Sequence, residues 1–257
     1  MQELLTNLIG TSLFAWLLIF TRLGAAFMFM PGFGDMFVNP RVRLLLALAI
    51  SLVLVPVLGP TLPKMPEQVI MLTFMLMGEV FFGAFIGLVA RLILSTVEAA
   101  GMIIAMQISL SNASVFNPAM AAQSSLVGAL LGVMAIVLLF ATDLHHLMLM
   151  AVVDSYTLFV PGTLPNFGDF ADTYGRLLAQ SFLVATQMAA PFIVLGLIFY
   201  LGLGLLSRLM PQLQIFFVAI PLQIYVGIML LGMMISGMML MWLSYAQSTL
   251  GGFLDMG

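Results

Sequence analysis

Almost nothing in this chain is polar enough to face water. Hydrophobic residues fill 63% of its 257 positions and charged residues 7%. A domain of that length has too little interior to hide so much apolar surface. The chain must therefore be solvated by lipid, by partner subunits, or by both. A mean hydropathy of +1.22 places it with polytopic membrane proteins. It has no cysteine, hence no disulfide and no thiolate metal site. A net charge of -3 gives no basic footprint for nucleic acid. Met1 to Asn7 holds Glu3 but no Lys or Arg, unlike the basic start of a secretory signal. The apolar run from Leu8 to Met30 is expected to stay as the first helix.

Apolar stretches predict helices over 8–30, 42–59, 68–104, 124–153, 177–207 and 213–247. Turn residues separate them: Pro31-Gly32 with Asn39-Pro40, Gly59-Pro60 with Pro63 and Pro66, and Pro161-Gly162 with Pro165-Asn166. The segment from Ser109 to Ser125 is small and polar, with a turn signal at Asn117-Pro118. Its backbone cannot lie unpaired in lipid, so it is either an aqueous loop or irregular backbone lining a cavity.

These helices fit a bilayer badly. A simple span needs about 20 apolar residues, and the 68–104 stretch is far longer and carries Glu79, Arg91 and Glu98. Glu79 and Arg91 lie about 18 Å apart along a straight helix and cannot pair within it. Each charge at a bilayer centre would cost about 2.5–3.5 kcal/mol. Arg22 poses the same problem in the first helix, and Arg208 interrupts the last third. Helices buried against other polypeptides explain both the lengths and the charges. Glu79 then reads as a structural carboxylate paired with an Arg on another helix, such as Arg22, in preference to a step in a proton relay.

Other motifs point to packing. Gly32-Phe33-Gly34-Asp35 spells the G-x-G-D of intramembrane aspartyl proteases, but no Asp precedes it to complete a dyad. It is expected to be a loop after the first helix. Asp143 and His146 can share a helix face. His145 and His146 would point about 100° apart on a helix and could not both face one ion. The expectation is a polar helix end or interface, with no metal and no cofactor. The spacings Gly83-x-x-x-Gly87 and Gly128-x-x-x-Gly132 allow close helix approach. No P-loop, serine nucleophile elbow or H-E-x-x-H occurs, and no enzyme is expected. The 23 methionines suit either lipid-facing helices or a deformable surface.

Several ordered blocks carry a resemblance. They are Arg22-Leu23-Gly24, then Met30-Pro31-Gly32 and Pro40-Arg41-Val42-Arg43-Leu44; Gly78-Glu79 with Gly83 and Gly87; and Ala100-Gly101, Gln107 and Asn117-Pro118. His146 and Ser155 before Pro161-Gly162 follow, then Leu206-Ser207-Arg208-Leu209-Met210-Pro211-Gln212 with IFFVAIPLQIYVGI. In order and spacing they resemble the FliR/SctT family of type III export-gate subunits. Family members often have Gly where this chain has Ser109 or Ala219, and Asn where it has Gln214.

The resemblance implies an all-α, multi-helix membrane protein built into a helical hetero-oligomer. Residues 1–175 would be the FliP-like part and 176–257 a FliQ-like hairpin with Arg208, Pro211 and Gln212 near its tip. The implied partners are FliP, FliQ, FlhB, FlhA and proximal rod proteins, besides membrane lipid and the exported flagellar polypeptides. The implied place is the inner membrane at the flagellar basal body, partly raised on the periplasmic side. The segment with Leu110, Asn112, Val115, Phe116, Asn117 and Pro118 would plug the passage, and Arg22, Glu79, Arg208, Pro211 and Gln212 would serve assembly. The alternative is a small-solute or proton-coupled transporter, with helices broken at Pro191 and Pro221 and Glu79 carrying protons.

Overall fold

The computed structural model describes residues 2–112, 125–163, 167–209 and 215–254. Among them, all regular structure is helical: α1 (Gln2–Phe29), α2 (Pro40–Leu58), α3 (Val69–Gln107), α4 (Leu126–Ala141), α5 (Leu144–Leu158), α6 (Phe167–Leu209) and α7 (Ile215–Leu254). Five are long and apolar enough to cross a membrane, six if α4 and α5 count as one broken span. With 39 and 43 residues, α3 and α6 are about 58 and 65 Å long. That is roughly twice the thickness of a hydrocarbon core. The chain divides into two compact units, one of Met1–Leu92, Thr142–Leu177 and Gln247–Gly257, the other of Ile93–Ala141 and Leu178–Ala246.

In the first unit, α1 buries one stripe, Phe14, Leu18, Arg22 and Ala26, which Met30 just past the helix continues, and leaves Leu13, Leu17 and Met28 exposed. The helix is apolar all round, so periodicity alone does not say which face packs. Pro31-Gly32 closes a turn in which Phe33 N–H donates to Met30 O at 3.2 Å, with Gly32 at φ 80. Pro161-Gly162 repeats it, Thr163 N–H donating to Val160 O at 3.2 Å, with Gly162 at φ 90. Both put Pro second and Gly third, as a type II turn requires. Asn39 caps α2 by accepting from Arg41 N–H at 3.0 Å, and Pro40 occupies the first turn, where no amide is missed. The glycine pair of α3 lies against α1. A Cβ on Gly83 would run into the Arg22 carbonyl oxygen, and one on Gly87 would lie 2.5 Å from that of Ala26.

In the second unit, the later half of α3 meets α4 in the same way. A Cβ on Gly101 would run into the backbone of Gly128, and one on Gly128 would lie 3.0 Å from the Glu98 carbonyl oxygen. Trp242 of α7 is fully buried and donates its indole N–H to Ile93 O at 2.9 Å. Ser181 near the start of α6 and Tyr245 near the end of α7 share a hydrogen bond of 2.8 Å, so these helices run antiparallel.

Several helix bounds differ from the sequence reading. The helix expected over 124–153 is two helices, because Asp143 takes a left-handed conformation, φ 58, and cannot continue α4. The helix expected from 177 begins at Phe167. Exposed Asp169, Asp172 and Arg176 interrupt its apolar signal, but Phe167 and Phe170 pack edge-on against Phe81 at 5.1 and 5.2 Å, and Phe170 against Phe85 at 4.6 Å. The last helix extends to Leu254, beyond the expected 247. Pro191 and Pro221 lie inside continuous helices and do not break them. The turn signal at Pro165-Asn166 lies outside the described residues.

The backbone approach at Gly83 is directly testable. Gly83→Val should destabilise the chain in detergent by about 1–3 kcal/mol, the usual cost of forcing bulk into a filled contact. Gly232→Val, where a Cβ meets open space, should change the denaturation midpoint little. Equal losses at both positions would show that the close contact at Gly83 is not the cause, since helix propensity alone favours Val over Gly.

Candidate functional site

Two fully buried charges organise the first unit. Arg22 on α1 and Glu79 on α3 are both at 0% exposure. Arg22 Nε donates to Glu79 Oε2 at 2.6 Å and Nη2 to Oε1 at 3.0 Å, a two-pronged pairing. Its Nη1 donates to Ser155 Oγ at 2.9 Å and its Nη2 to Phe159 O at 2.9 Å. The guanidinium lies 3.8 Å from the Tyr156 ring centroid and 5.2 Å from that of Phe82. Both carboxylate oxygens accept from Arg22. This is a closed pairing, which suits a structural brace better than a proton relay.

A second pair holds the loop after α1. Asp35 Oδ1 lies 2.6 Å from Arg91 Nη1, and Asp35 Oδ2 accepts from Gly32 N–H at 2.7 Å. Arg43 Nε donates to Phe33 O at 2.8 Å, and Phe33 stacks on Phe27 at 4.8 Å. The Asp of Gly-Phe-Gly-Asp thus ties a turn to α3. Glu79 and Arg91, too far apart to pair with each other, each find a partner outside their own helix.

In the second unit, polar groups meet where α3 ends. Ser109 takes a left-handed conformation, φ 60. Its Oγ donates to Gln223 Oε1 at 2.9 Å, and Gln223 Nε2 donates to Gln107 O at 2.6 Å. Gln223 is 2% exposed. Gly227, one turn on, faces Ile108, where a Cβ would run into the side chain. A single 3-10 turn, Leu110–Asn112, follows, with Leu110 half-buried. The expected plug residues Val115, Phe116, Asn117 and Pro118 lie outside the described residues. Arg208 is exposed in the last turn of α6, and Pro211 and Gln212 also lie outside the described residues.

The expectation that His145 and His146 must diverge is corrected. Their ring centroids lie 4.1 Å apart, and one ligand atom each from Asp143, His145 and His146 fall within 4.8 Å of one another. Both histidines sit in the first turn of α5, where little preceding helix restricts their rotamers, and each ring can swing across the nominal angle. Sequence reasoning used Ser155 and the run holding Gln223 only as marks of a resemblance, and gave no role to them or to Tyr156. A lone amide in the apolar run around Gln223 was a usable signal, because such a group needs a partner. Nothing marked Ser155 and Tyr156 as neighbours of Arg22.

The chain has relatives along nearly its whole length. The model of a family described as bacterial export proteins, family 1, matches residues 13–249. The chain is 41% identical to the flagellar biosynthetic protein FliR of Caulobacter vibrioides, over 88% of this chain and 90% of that protein. It is 33% identical to FliR of Bacillus subtilis over 84% of each. It is 28% identical to the Yop proteins translocation protein T of Yersinia pestis, over 89% of this chain and 88% of that protein.

Removing one member of the buried pair should cost far more than removing both. Arg22→Met strands the Glu79 carboxylate and should lose about 3–5 kcal/mol, whereas the Arg22→Met, Glu79→Met double variant should recover most of it. Denaturant titrations of the two single variants and the double variant measure the coupling. A double variant whose loss equals the sum of the two single losses would show that the charges do not depend on each other. Gln223→Leu should cost about 1–3 kcal/mol by leaving buried Ser109 and the Gln107 carbonyl without their partner.

Proposed function

The chain belongs to family 1 of the bacterial export proteins, and on that premise we propose that it is a core subunit of the flagellar type III export gate. It joins FliP and FliQ around the passage through which unfolded flagellar proteins leave the cytoplasm. The observation that carries this reading is the likeness to FliR proteins over most of both chains. Membership of a membrane-embedded export family accounts for the apolar helices. Helices much longer than a bilayer core, with apolar side chains exposed along them, support a chain whose solvent is largely other subunits. Residues 1–175 serve as the FliP-like part, and 176–257 as the FliQ-like hairpin, consistent with the antiparallel α6 and α7. The assembly sits at the basal body in the inner membrane, partly raised on its periplasmic side. FlhB, FlhA and proximal rod proteins are its neighbours.

Within that reading, the segment between Ser109 and Ser125 restrains the closed passage. Phe116 is its largest apolar side chain and the group best suited to exclude ions. The buried Gln223 contact at the segment's first residue supports this role by giving the segment a fixed root. Arg208, exposed in the last turn of α6, serves contact with FlhB or FliQ, together with Pro211 and Gln212.

Co-expression with FliP and FliQ should give one discrete complex with a single copy of this chain, read by native mass spectrometry. A stable homo-oligomer would favour a transporter and sink the gate. Deleting residues 110–122 should leave the complex assembled but leaky in conductance measurements, with Phe116→Ala leaking less. A deletion complex as tight as wild type would make the segment a connector. Arg208→Ala should weaken recovery of FlhB or FliQ in pull-downs; unchanged subunit ratios with intact motility would assign Arg208 to solvent.

A further inference from the structure

The break between α4 and α5 carries a group of side chains that the export reading does not use. We propose that Asp143, His145 and His146 form a binding site for one divalent transition-metal ion of the class that takes imidazole and carboxylate ligands, such as Zn2+, Co2+ or Ni2+. One ligand atom from each lies within 4.8 Å of the other two. Asp143 Oδ1 lies 3.6 Å from His146 Nδ1. That is too long for a hydrogen bond, but close to the roughly 3 Å edge between two ligands that share a metal at about 2 Å. Small rotations of the exposed Asp143 and His146 side chains beside the half-buried His145 would close the set.

The conformation of Asp143 separates this site from an ordinary helix cap. An Asp before a helix normally takes an extended backbone and accepts a hydrogen bond from an amide of the first turn. Asp143 has φ 58 and makes no side-chain capping bond. Instead its carboxylate faces the imidazoles, while its backbone oxygen accepts from His146 N–H at 3.0 Å. A non-glycine residue in this region is uncommon, but Asp is among those that adopt it most readily, so the backbone permits this aim and the side-chain geometry carries the argument. The Asp143 and His146 side chains are 77% and 64% exposed, so an ion has a path in and water can complete its shell. Two nitrogens and one carboxylate oxygen, with no thiolate, select zinc and its late first-row neighbours over calcium or magnesium. A bound ion would tie Asp143, the residue that precedes α5, to the first turn of that helix.

His145 and His146 are the chain's only histidines and it has no cysteine, so loss of binding in variants at these positions assigns the ion to this chain even within an assembly. The full-length chain, carrying a histidine-free tag and in the assembly in which it purifies, is stripped with chelator. It is then titrated with Zn2+ against a chromogenic chelator, and with Co2+ while its visible spectrum is recorded. One equivalent should bind, with a Co2+ spectrum that reports nitrogen ligands. Asp143→Asn, His145→Gln and His146→Gln should each weaken binding at least about tenfold, the lower range seen when even an outer partner of a ligand is lost. Preparations must match wild type in helical circular dichroism and elution volume, a fair demand at two exposed positions and one half-buried one. Absence of a stoichiometric site in wild type overturns the proposal. So does any one of the three variants that binds as tightly as wild type.

Discussion

The guanidinium of Arg22 is sealed from solvent, and much of the first unit is arranged around it. A charge in that position is tolerable only if its donors are met and an opposite charge lies beside it. Glu79 supplies the charge, and Ser155 and the Phe159 carbonyl take the other donors. These partners come from α3, α5 and the residue that follows α5. The close pairing has a backbone cause. Gly83 lies one turn beyond Glu79 on the same face and presses on the carbonyl of Arg22 itself. A side chain there would push α3 away and open the 2.6 Å contact. The glycine and the ion pair are thus linked: the small residue lets α3 come close enough to α1 for the two charges to meet.

The second unit meets a similar problem with neutral groups. The α3 helix ends at Gln107, and its last carbonyls need donors that a buried site cannot draw from water. Gln223 answers one of them with its amide N–H and takes the Ser109 hydroxyl with its amide oxygen. The left-handed Ser109 stops the helix and brings its hydroxyl to the amide. Trp242 likewise donates to the Ile93 carbonyl within the same unit. An amide or indole costs less to bury than a charge, so a few single contacts suffice where the first unit needs a network.

The exposed surface is as informative as the buried one. Leu52, Val53, Ile70, Phe74, Leu197, Ile198 and Leu201 are all more than half exposed. In water such a surface would be unstable. In an export subunit it is where lipid and neighbouring chains belong, and this follows from composition before any coordinate is known.

By itself the sequence determined that the chain is helical and membrane-bound, and that it turns at Pro31-Gly32 and Pro161-Gly162, because apolar runs and Pro-Gly pairs act locally. It also showed that Glu79 could not pair with Arg91 on their shared helix, since helical rise alone forbids it. Only the tertiary structure decided that Arg22 and Arg91 divide Glu79 and Asp35 between them, because partners distant in sequence are chosen by which helix faces meet. It likewise placed the break at Asp143, the early start of α6 and the meeting of His145 with His146. Each depends on a backbone conformation or an aromatic contact that hydropathy does not record. When every face of a helix is apolar, periodicity loses its power to say which side is inside, and packing settles the rest.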